Sequence, residues 1–350
     1  MKYRVYLETL GCAKNSVDSE IMMGQMLADG YEMTADVVDS DVMVINTCAF
    51  ITKAVNESID RILSLAQIKK KSGHKKLIVA GCLSERYRKQ LLDEIPEIDV
   101  VMGTSDYTQI TKCIAEIHGH EGRIGIFEKK PLYSVKNLRT EEVIAKNKNY
   151  AYLKISEGCS NMCSFCNIPK LRGPFKSRSL RSIEQEFLTI LRNGIKEINL
   201  ISQDSASYGL DLDSGADLLS LVQKLLKASA SDFWLRIFYA YPNRYPKELF
   251  HLMAEDSRLT PYADIPFQHI DDSVLKGMNR KITALEIENL IETALTTKPD
   301  LALRSTFIVG FPNETERAFR QLLRFVEKGY FSHLGVFTYS EEDNIRSRKM

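Results

Sequence analysis

The chain has 350 residues, 44% of them hydrophobic and 27% charged, which is the composition of a globular protein of two ordinary domains. It contains no apolar run long enough to span a membrane, and Met1–Tyr6 leads into a strand-like pattern rather than a signal peptide, so we predict a cytoplasmic protein. The net charge of +1 lacks the basic excess typical of non-specific nucleic-acid binding. Seven cysteines in a reducing compartment indicate metal ligands, reactive thiols or buried apolar side chains rather than disulfides.

The first 117 residues alternate short β-rich runs with longer helical patterns. Four strands are predicted there: Tyr3–Glu8, Val42–Thr47, Lys76–Ala80 and Val100–Met102. Strands that alternate with helices predict a parallel sheet covered on both faces. We therefore predict a doubly wound parallel-sheet domain at 1–117, followed at 118–149 by a polar linker in which a β-hairpin is one possibility.

From residue 150 the alternation restarts and repeats six times. The predicted strands are Ala151–Ser156, Glu197–Ser202, Trp234–Ala240, Ala263–Phe267, Leu303–Val309 and Leu334–Tyr339. Six strand–helix units are fewer than the eight of a closed barrel, so the pattern predicts an open (β/α)6 partial barrel at 150–340. Residues 341–350 are predicted to form a polar tail.

Cys159, Cys163 and Cys166 lie on one loop directly after the first predicted barrel strand. Thiolates at Cys-x-x-x-Cys-x-x-Cys spacing can bind three irons of a four-iron cluster and leave the fourth iron open to a substrate. Structural zinc is the main competitor, but it prefers four protein ligands, and no fourth Cys or His lies nearby in the sequence. Three merely buried cysteines fit poorly with a polar loop that contains Gly158 and Asn161. The loop also follows the carboxyl end of a barrel strand, where active sites are expected.

A second set of cysteines, Cys12, Cys48 and Cys82, follows the first three predicted strands of the N-terminal domain. Parallel strands end at the same edge of a sheet, where ligands usually bind. A second cluster is therefore one interpretation, and three cysteines buried beside strands for packing is the other. Cys113 lies within a helical pattern, away from any strand end, and we assign it to the core.

The barrel loop resembles the signature of radical S-adenosylmethionine (SAM) enzymes, and the whole chain is similar to their methylthiotransferase branch. The segments that carry this resemblance are Leu10–Asn15, Asn46–Phe50, Gly81–Leu83, Cys163–Gly173, Asp264–His269 and Phe307–Pro312. The resemblance implies that the three N-terminal cysteines hold an auxiliary four-iron cluster that takes part in sulfur transfer. It implies that the three barrel cysteines hold the cluster at which SAM is cleaved, with no catalytic residue beyond the clusters.

Within this branch the chain resembles the RimO-like enzymes, which methylthiolate the β-carbon of an aspartate in protein twelve of the small ribosomal subunit. Gly11–Asn15 and Arg236–Pro242 carry this part of the resemblance. It implies SAM as cofactor, the ribosomal protein as substrate, and a reductant such as flavodoxin and a sulfur donor as partners. The family's C-terminal TRAM domain has no counterpart in this sequence.

Two alternatives stay open at this point. A transfer-RNA adenosine methylthiotransferase would share every cluster ligand, and this is the alternative in which nucleic acid is a partner. A non-catalytic iron–sulfur electron carrier is the further alternative, although six ligands with a barrel behind them argue against it.

Residues at the other barrel strand ends are weaker candidates for the site. We predict that the cofactor contacts Ser202, Gln203, Gln268, Ile308 and Gly310. His269 is predicted either to contact the substrate or to be a hydrogen-bonded structural histidine. Arg172 and Arg178 belong to a basic stretch beside the cluster loop and are predicted either to meet an anionic substrate or to lie in a solvated loop.

Overall fold

The computed structural model describes residues 3–119, 122–127, 139–146, 149–343 and 345–349. The chain divides into two compact units, one formed by Met1–Asn147 with Lys170–Pro174, the other by Lys148–Pro169 with Phe175–Met350. Each unit contains one six-stranded sheet. No helix within the described ranges is long and apolar enough to cross a lipid bilayer.

The first unit is a parallel sheet with strand order β2-β1-β3-β4-β5-β6. Its strands are β1 (Arg4–Thr9), β2 (Glu32–Thr34), β3 (Val42–Thr47), β4 (Lys76–Gly81), β5 (Val100–Met102) and β6 (Ile124–Ile126). Its helices are α1 (Ala13–Ala28), α2 (Thr52–Ser72), α3 (Cys82–Tyr87), α4 (Lys89–Glu94), α5 (Ile110–Gly119) and α6 (Glu141–Lys146). The order reverses between β1 and β3, which creates the switch point at which doubly wound folds usually bind ligands.

The central strands of this sheet are apolar along their length because helices cover both of their faces. Every residue of β3 is buried, and five of the six residues of β4 are buried as well. Near-continuous apolar runs of this kind are typical of parallel strands in the middle of a sheet. The two strands that carry Cys48 and Cys82 at their ends are therefore the most firmly held in the unit.

The second unit is an open parallel sheet in which the strands follow the chain, with order β14-β13-β12-β11-β10-β7. Its strands are β7 (Tyr150–Lys154), β10 (Glu197–Ile201), β11 (Trp234–Ile237), β12 (Leu259–Asp264), β13 (Ala302–Val309) and β14 (His333–Thr338), while β8 (Ser156–Glu157) and β9 (Lys176–Ser177) form a short antiparallel pair. The helices that follow are α7 (Ile168–Leu171), α8 (Leu180–Arg192), α9 (Leu218–Ala228), α10 (Glu248–Glu255), α11 (Asp272–Gly277), α12 (Ala284–Thr297) and α13 (Glu316–Glu327).

Local sequence signals set where several barrel helices begin. The side chain of Asp217 accepts from the Ser220 N–H and starts α9, and Thr283 with Glu286 forms a reciprocal capping box at the start of α12. Such caps satisfy N–H groups that have no partner inside the helix. The loops before these helices are consequently held at defined positions around the sheet.

The predicted fold class is confirmed, since both sheets are parallel and the second is open. The segment predicted as a linker differs from the prediction, because it contributes β6 to the first sheet and α6 to the helices around α1. Val143 and Ile144 of α6 are buried, so this short apolar pair has a core to pack against. The hairpin considered for the linker would fall mainly on 128–138, outside the described residues.

The end of the chain also differs from the polar tail that the sequence predicts. Arg346–Lys349 forms a 3-10 helix, and Ile345 and Ser347 are buried in the second unit. The Ser347 N–H donates to the carbonyl oxygen of Ser164 at 3.0 Å, and the Ser347 hydroxyl accepts from Tyr339 at 2.9 Å. Hydrogen bonds to the cluster loop, which sequence patterns do not reveal, order this segment.

Candidate iron–sulfur sites

The first unit brings its three predicted ligands to one edge of its sheet. Cys12 follows β1 and is the N-cap of α1, Cys48 follows β3, and Cys82 is the first residue of α3 directly after β4. The ends of β1 and β3 flank the switch point of the sheet. The charges of these thiols act on one another, since ionised Cys12 and Cys48 would both raise the pKa of Cys82. The geometry of the fold thus places the three thiols together.

Asn15 connects the strand ends that carry these cysteines. Its buried side-chain nitrogen donates to the carbonyl oxygens of Leu10 and Thr47, at 2.9 Å each, which lie just before the first two cysteine positions. Its side-chain oxygen lies 4.0 Å from Cys82 Sγ. The side-chain amide of Asn15 therefore lies beside the chain segments that carry all three cysteines. In the sequence, Asn15 stands out only as part of the segment Leu10–Asn15.

Two glycines allow the strand ends to approach this closely. Gly11 has φ +94°, and a Cβ there would lie 2.8 Å from Cys48 Cβ. Gly81 has φ +95°, and its Cβ would lie 2.6 Å from the carbonyl oxygen of Thr47 and 2.8 Å from the Thr47 nitrogen. Only glycine tolerates both this conformation and this contact. The geometry of the site therefore requires glycine at the position before Cys12 and at the position before Cys82.

Arg172 is a buried part of the same site. It is 3% exposed and donates to Asp18 Oδ2 at 2.6 Å and to the side-chain oxygen of Asn15. Arg172 was predicted to contact the substrate or to lie in a solvated loop, and its position agrees with neither. The segment Lys170–Pro174 that carries it packs with the first unit, so its guanidinium faces the cysteines instead of solvent.

The charge of Arg172 acts on the pKa of all three thiols. Burial raises the pKa of Cys48, and raises that of Cys82 to about 11, while Arg172 opposes both shifts. At Cys12 desolvation also acts upward, but the charges of Lys14 and Arg172, together with hydrogen bonds from the backbone of Asn15 and Lys14, outweigh it, and the pKa lies below its usual value. Because iron is bound by thiolates, a buried cation at this point favours the ligand form.

In the second unit, Cys159, Cys163 and Cys166 lie on the loop between β8 and α7. The Ile168 N–H donates to Cys166 Sγ at 3.4 Å, a bond of the kind that stabilises cluster thiolates. Burial raises the pKa of Cys159 to about 11 and that of Cys166 to about 12. Cys159 and Cys166, whose burial disfavours the thiolate form, become ligands once a cation neutralises their charge.

The cluster loop is held in place by hydrogen bonds from several elements of its own unit. Ser164 donates through its backbone to the Met278 carbonyl at 3.0 Å and through its hydroxyl to the Gly277 carbonyl at 2.9 Å. Asn161 donates to Asp204 at 2.7 Å. These hydrogen bonds fix the position of the loop that carries the three cysteines.

Backbone strain is concentrated around this loop. Of the five non-glycine residues with positive φ in the described ranges, four belong to the second unit: Met162, Tyr239, Gln268 and Asn279. Met162 is in the cluster loop, while Tyr239 and Gln268 follow the carboxyl ends of β11 and β12. Strained residues that cluster at strand ends are typical of functional sites.

Two predicted cofactor contacts, Gln203 and Gln268, have buried side-chain oxygens without a hydrogen-bond partner within the described part of the chain. The Gln203 nitrogen donates to Glu157, while the Gln268 backbone is fixed by a bridge to Phe307. Buried polar atoms almost always have a partner in the functional state. The two free oxygens therefore fit a polar cofactor at the ends of β10 and β12.

The other predicted cofactor contacts are less informative. Ser202 is fully buried with its hydroxyl 3.4 Å from that of Ser205. Gly310 has φ +76° and donates its N–H to Glu314, and the Ile308 N–H donates to the Gln268 carbonyl at 2.8 Å. Ile308 thus supports the segment that carries Gln268, and the contact of Ile308 and Gly310 with a cofactor stays a prediction.

His269 and Arg178 occupy structural positions. His269 Nδ1 accepts from the Asp271 N–H at 3.0 Å, and Nε2 lies 3.1 Å from Glu314 Oε1, so both ring nitrogens are used in a fully buried position. Arg178 forms a buried ion pair with Glu186 at 2.7 Å and donates to the Lys154 carbonyl. Neither side chain is available to a substrate, and for Arg178 this corrects both alternatives given by the sequence.

Cys113 is fully buried, and burial raises its pKa to about 12, in agreement with its assignment to the core. Among the described residues, no three His, Cys, Asp or Glu side chains gather as a single metal ion requires. The thiols of a cubic cluster each bind a different iron.

Residues 4–103 match the model of a family described as Uncharacterized protein family UPF0004, and residues 153–326 match that of the Radical SAM superfamily. Relatives named ribosomal protein uS12 methylthiotransferase RimO are similar along the whole chain. The protein of Geotalea uraniireducens is 43% identical over 100% of this chain and 78% of its own length. That of Clostridioides difficile is 42% identical over 99% of this chain and 77% of its own.

The chain belongs to the RimO family of radical SAM methylthiotransferases. The predicted resemblance is thereby confirmed, and the enzyme class is that of a transferase.

Solved structures share the fold. The radical SAM methyltransferase TsrM from Kitasatospora setae, solved with cobalamin and a [4Fe-4S] cluster, has a TM-score of 0.69 at 14% identity over 97% of this chain and 75% of its own. The cobalamin-dependent SAM radical enzyme OxsB has a TM-score of 0.64 at 14% identity over 99% of this chain and 55% of its own. At this identity the likeness concerns the fold alone.

Proposed function

We propose that this chain adds a methylthio group to the β-carbon of an aspartate in ribosomal protein uS12, using two [4Fe–4S] clusters and SAM. The observation that carries the proposal is the placement of six cysteines in two sets of three, in a chain similar to RimO along its whole length. One set follows three parallel strands of the first unit, and the other shares a single loop of the second unit, between β8 and α7. We assign the auxiliary cluster to Cys12, Cys48 and Cys82 in the domain at 1–117. We assign the radical cluster to the cysteine loop of the barrel domain at 150–340.

The residues of both sites fit such clusters. Each set offers three thiols, which bind three of the four irons of a cubic cluster. One iron of each cluster is therefore left open. When bound, the clusters and SAM supply the one-electron chemistry that removes hydrogen from an unactivated carbon, together with the sulfur that replaces it. The protein holds the thiolates and provides N–H donors to them.

Within the barrel, Gln203 and Gln268 are proposed to orient SAM through their free side-chain oxygens. An amide oxygen accepts hydrogen bonds from amino and hydroxyl groups, both of which SAM presents. Orientation matters because a displacement of about 1 Å from the productive geometry lowers a rate by about a hundredfold. The two amides follow β10 and β12, which are separated by β11 in the sheet. The side chain of Gln203 donates to Glu157, and the backbone of Gln268 is bridged to Phe307.

We further propose the partners that this reaction requires. Reductive cleavage needs an external one-electron donor, for which a flavodoxin is suitable, and each turnover needs sulfur from a separate donor. A ribosomal substrate places the reaction in the cytoplasm.

The cluster assignment is tested by iron content. Anaerobically reconstituted protein should hold about eight irons per chain, and replacing Cys159, Cys163 and Cys166 with Ala should leave about four. Replacing Cys12, Cys48 and Cys82 should also leave about four, and this variant should still cleave SAM to 5′-deoxyadenosine while adding no sulfur. Retention of all iron in either triple variant would refute the assignment of that site.

The substrate is tested by mass spectrometry of ribosomal proteins and transfer RNA from cells with and without the gene. The proposal requires that the uS12 peptide loses the mass of its methylthio group and that transfer-RNA nucleosides are unchanged. A change confined to transfer RNA identifies the competing adenosine methylthiotransferase. No change in either, with reduction and reoxidation of both clusters intact, identifies an electron carrier.

A further inference from the structure

Arg280 is a buried residue beside the barrel cluster loop to which the proposed function gives no role. It follows α11, and its backbone N–H donates to the Leu275 carbonyl at 2.8 Å. The preceding residue, Asn279, has φ +55° and donates its side-chain N–H to the Met162 carbonyl at 2.8 Å. A strained corner thus joins the end of α11 to the cluster loop.

The guanidinium of Arg280 points at one of the proposed ligands. Its Nη1 lies 3.7 Å from Cys163 Sγ, its Nη2 donates to the Pro266 carbonyl, and its Cζ lies 4.0 Å from the centre of the Tyr241 ring. Stacking on one face and a hydrogen bond at the far nitrogen fix the orientation of the planar group. The N–H that faces Cys163 is therefore held in place by contacts independent of that cysteine.

The charge of Arg280 lacks a compensating anion within the described part of the chain. The residue is 7% exposed, forms no ion pair with a described carboxylate, and its buried Nε has no acceptor there. A buried cation without an anion is strongly unfavourable, as is a buried N–H without an acceptor. An anionic group at the cluster loop would satisfy both requirements.

We propose that Arg280 is a positioning residue of the barrel cluster that donates a hydrogen bond to a cluster sulfur and raises the reduction potential. This inference rests on the proposed function, in which Cys163 is a ligand. A cluster held by three thiolates is negatively charged, and reduction adds one more negative charge. A fixed cation therefore stabilises the reduced state more than the oxidised state.

The test uses the protein in which Cys12, Cys48 and Cys82 are Ala, so that the barrel cluster is observed alone. The reduction potential is measured by anaerobic titration, with the reduced cluster followed by electron paramagnetic resonance. Arg280→Met should lower the ratio of reduced to oxidised cluster at a given potential about tenfold, which for one electron is a shift of about 59 mV to lower potential. Arg280→Lys should shift it less, because the cation remains while the planar donor is lost.

Lys281→Met is the matched control, since it removes one positive charge from an exposed neighbouring side chain. It should leave the potential unchanged. If Arg280→Met binds no iron, Arg280→Gln replaces it, because Gln keeps a donor without the charge and should also lower the potential. A potential equal to that of the parent in an iron-loaded neutral variant overturns the role of Arg280. Absence of iron in the parent itself would instead refute the assignment of Cys163 as a ligand.

Discussion

Gly81 offers a sharp test of how the auxiliary site is built. In Gly81→Ala the new Cβ would lie 2.6 and 2.8 Å from the oxygen and nitrogen of Thr47, which belong to backbone in the middle of the sheet. Alanine at this backbone conformation is unfavourable by about 1–3 kcal/mol. The overlap adds about 1–3 kcal/mol, since buried backbone cannot move aside freely. We expect the free energy of unfolding of the first unit to fall by about 4 kcal/mol.

Gly30→Ala is the control for this prediction, because Gly30 also has positive φ, at +86°, but nothing lies within 4 Å of its Cβ position. It should lower the free energy of unfolding by only about 1–2 kcal/mol. Both variants are compared by chemical denaturation without iron and by iron content after reconstitution. Gly81→Ala should hold about four irons per chain and Gly30→Ala about eight. Equal stability and equal iron content would refute the argument that close approach at Gly81 forms the site.

Three further predictions follow from buried side chains. Cys113→Ala should leave the iron content unchanged, as measured by metal analysis, because the thiol is in the core. Gln203→Ala and Gln268→Ala should each raise the dissociation constant for SAM about tenfold in calorimetry, the effect of one lost hydrogen bond. The pKa of His269 is lowered by burial, which Glu314 only partly offsets. The unfolded chain therefore takes up a proton more readily, and unfolding free energy should fall between about pH 7 and pH 5, less so in His269→Phe.

The sequence predicted most of the strands well because their signals are local. β3 and β5 have the predicted bounds, and β4 extends only one residue further, since buried parallel strands are continuous apolar runs. Because the carboxyl ends of parallel strands lie at one edge of a sheet, cysteines that directly follow such strands are expected to lie at that edge. The missed strands are also short, with three residues in β2 and β6 and two in β8 and β9, but unlike β5 none of them is a buried apolar run.

Arg172 and Arg280 show what spacing along the chain does not reveal. Arg172 follows the barrel loop in sequence, but its carboxylate partner Asp18 is 154 residues away. Arg280 lies 117 residues from the thiol that it contacts. A basic residue near a cluster motif is equally compatible with solvent, a substrate or a buried ion pair. Contacts between residues far apart in the sequence decide among these three environments, and only the folded structure shows such contacts.

The last described residues lead to a final prediction, because they support the cluster loop. Ser347 donates to the Ser164 carbonyl through both its backbone N–H, at 3.0 Å, and its hydroxyl, at 3.1 Å. Asn167 donates to the Asp343 carbonyl at 3.0 Å, and Ile345 is buried beside them. Removing 341–350 would leave the Ser164 carbonyl and the Asn167 amide, on either side of Cys166, without these contacts. The entropy lost on ordering this part of the loop would then oppose cluster binding.

We expect the truncated protein to retain the auxiliary cluster and to lose the barrel cluster, with about four irons per chain and little reductive cleavage of SAM. Arg348→Ala is the control, because it removes a side chain that is 51% exposed and paired with Asp343 and Glu341 at the surface. Exposed pairs contribute little, at most about 1 kcal/mol, so this variant should keep about eight irons. Metal analysis and the yield of 5′-deoxyadenosine report both results. A truncated protein that binds iron and cleaves SAM like the full chain would show that the loop is ordered without the contacts of Ser347 and Asp343.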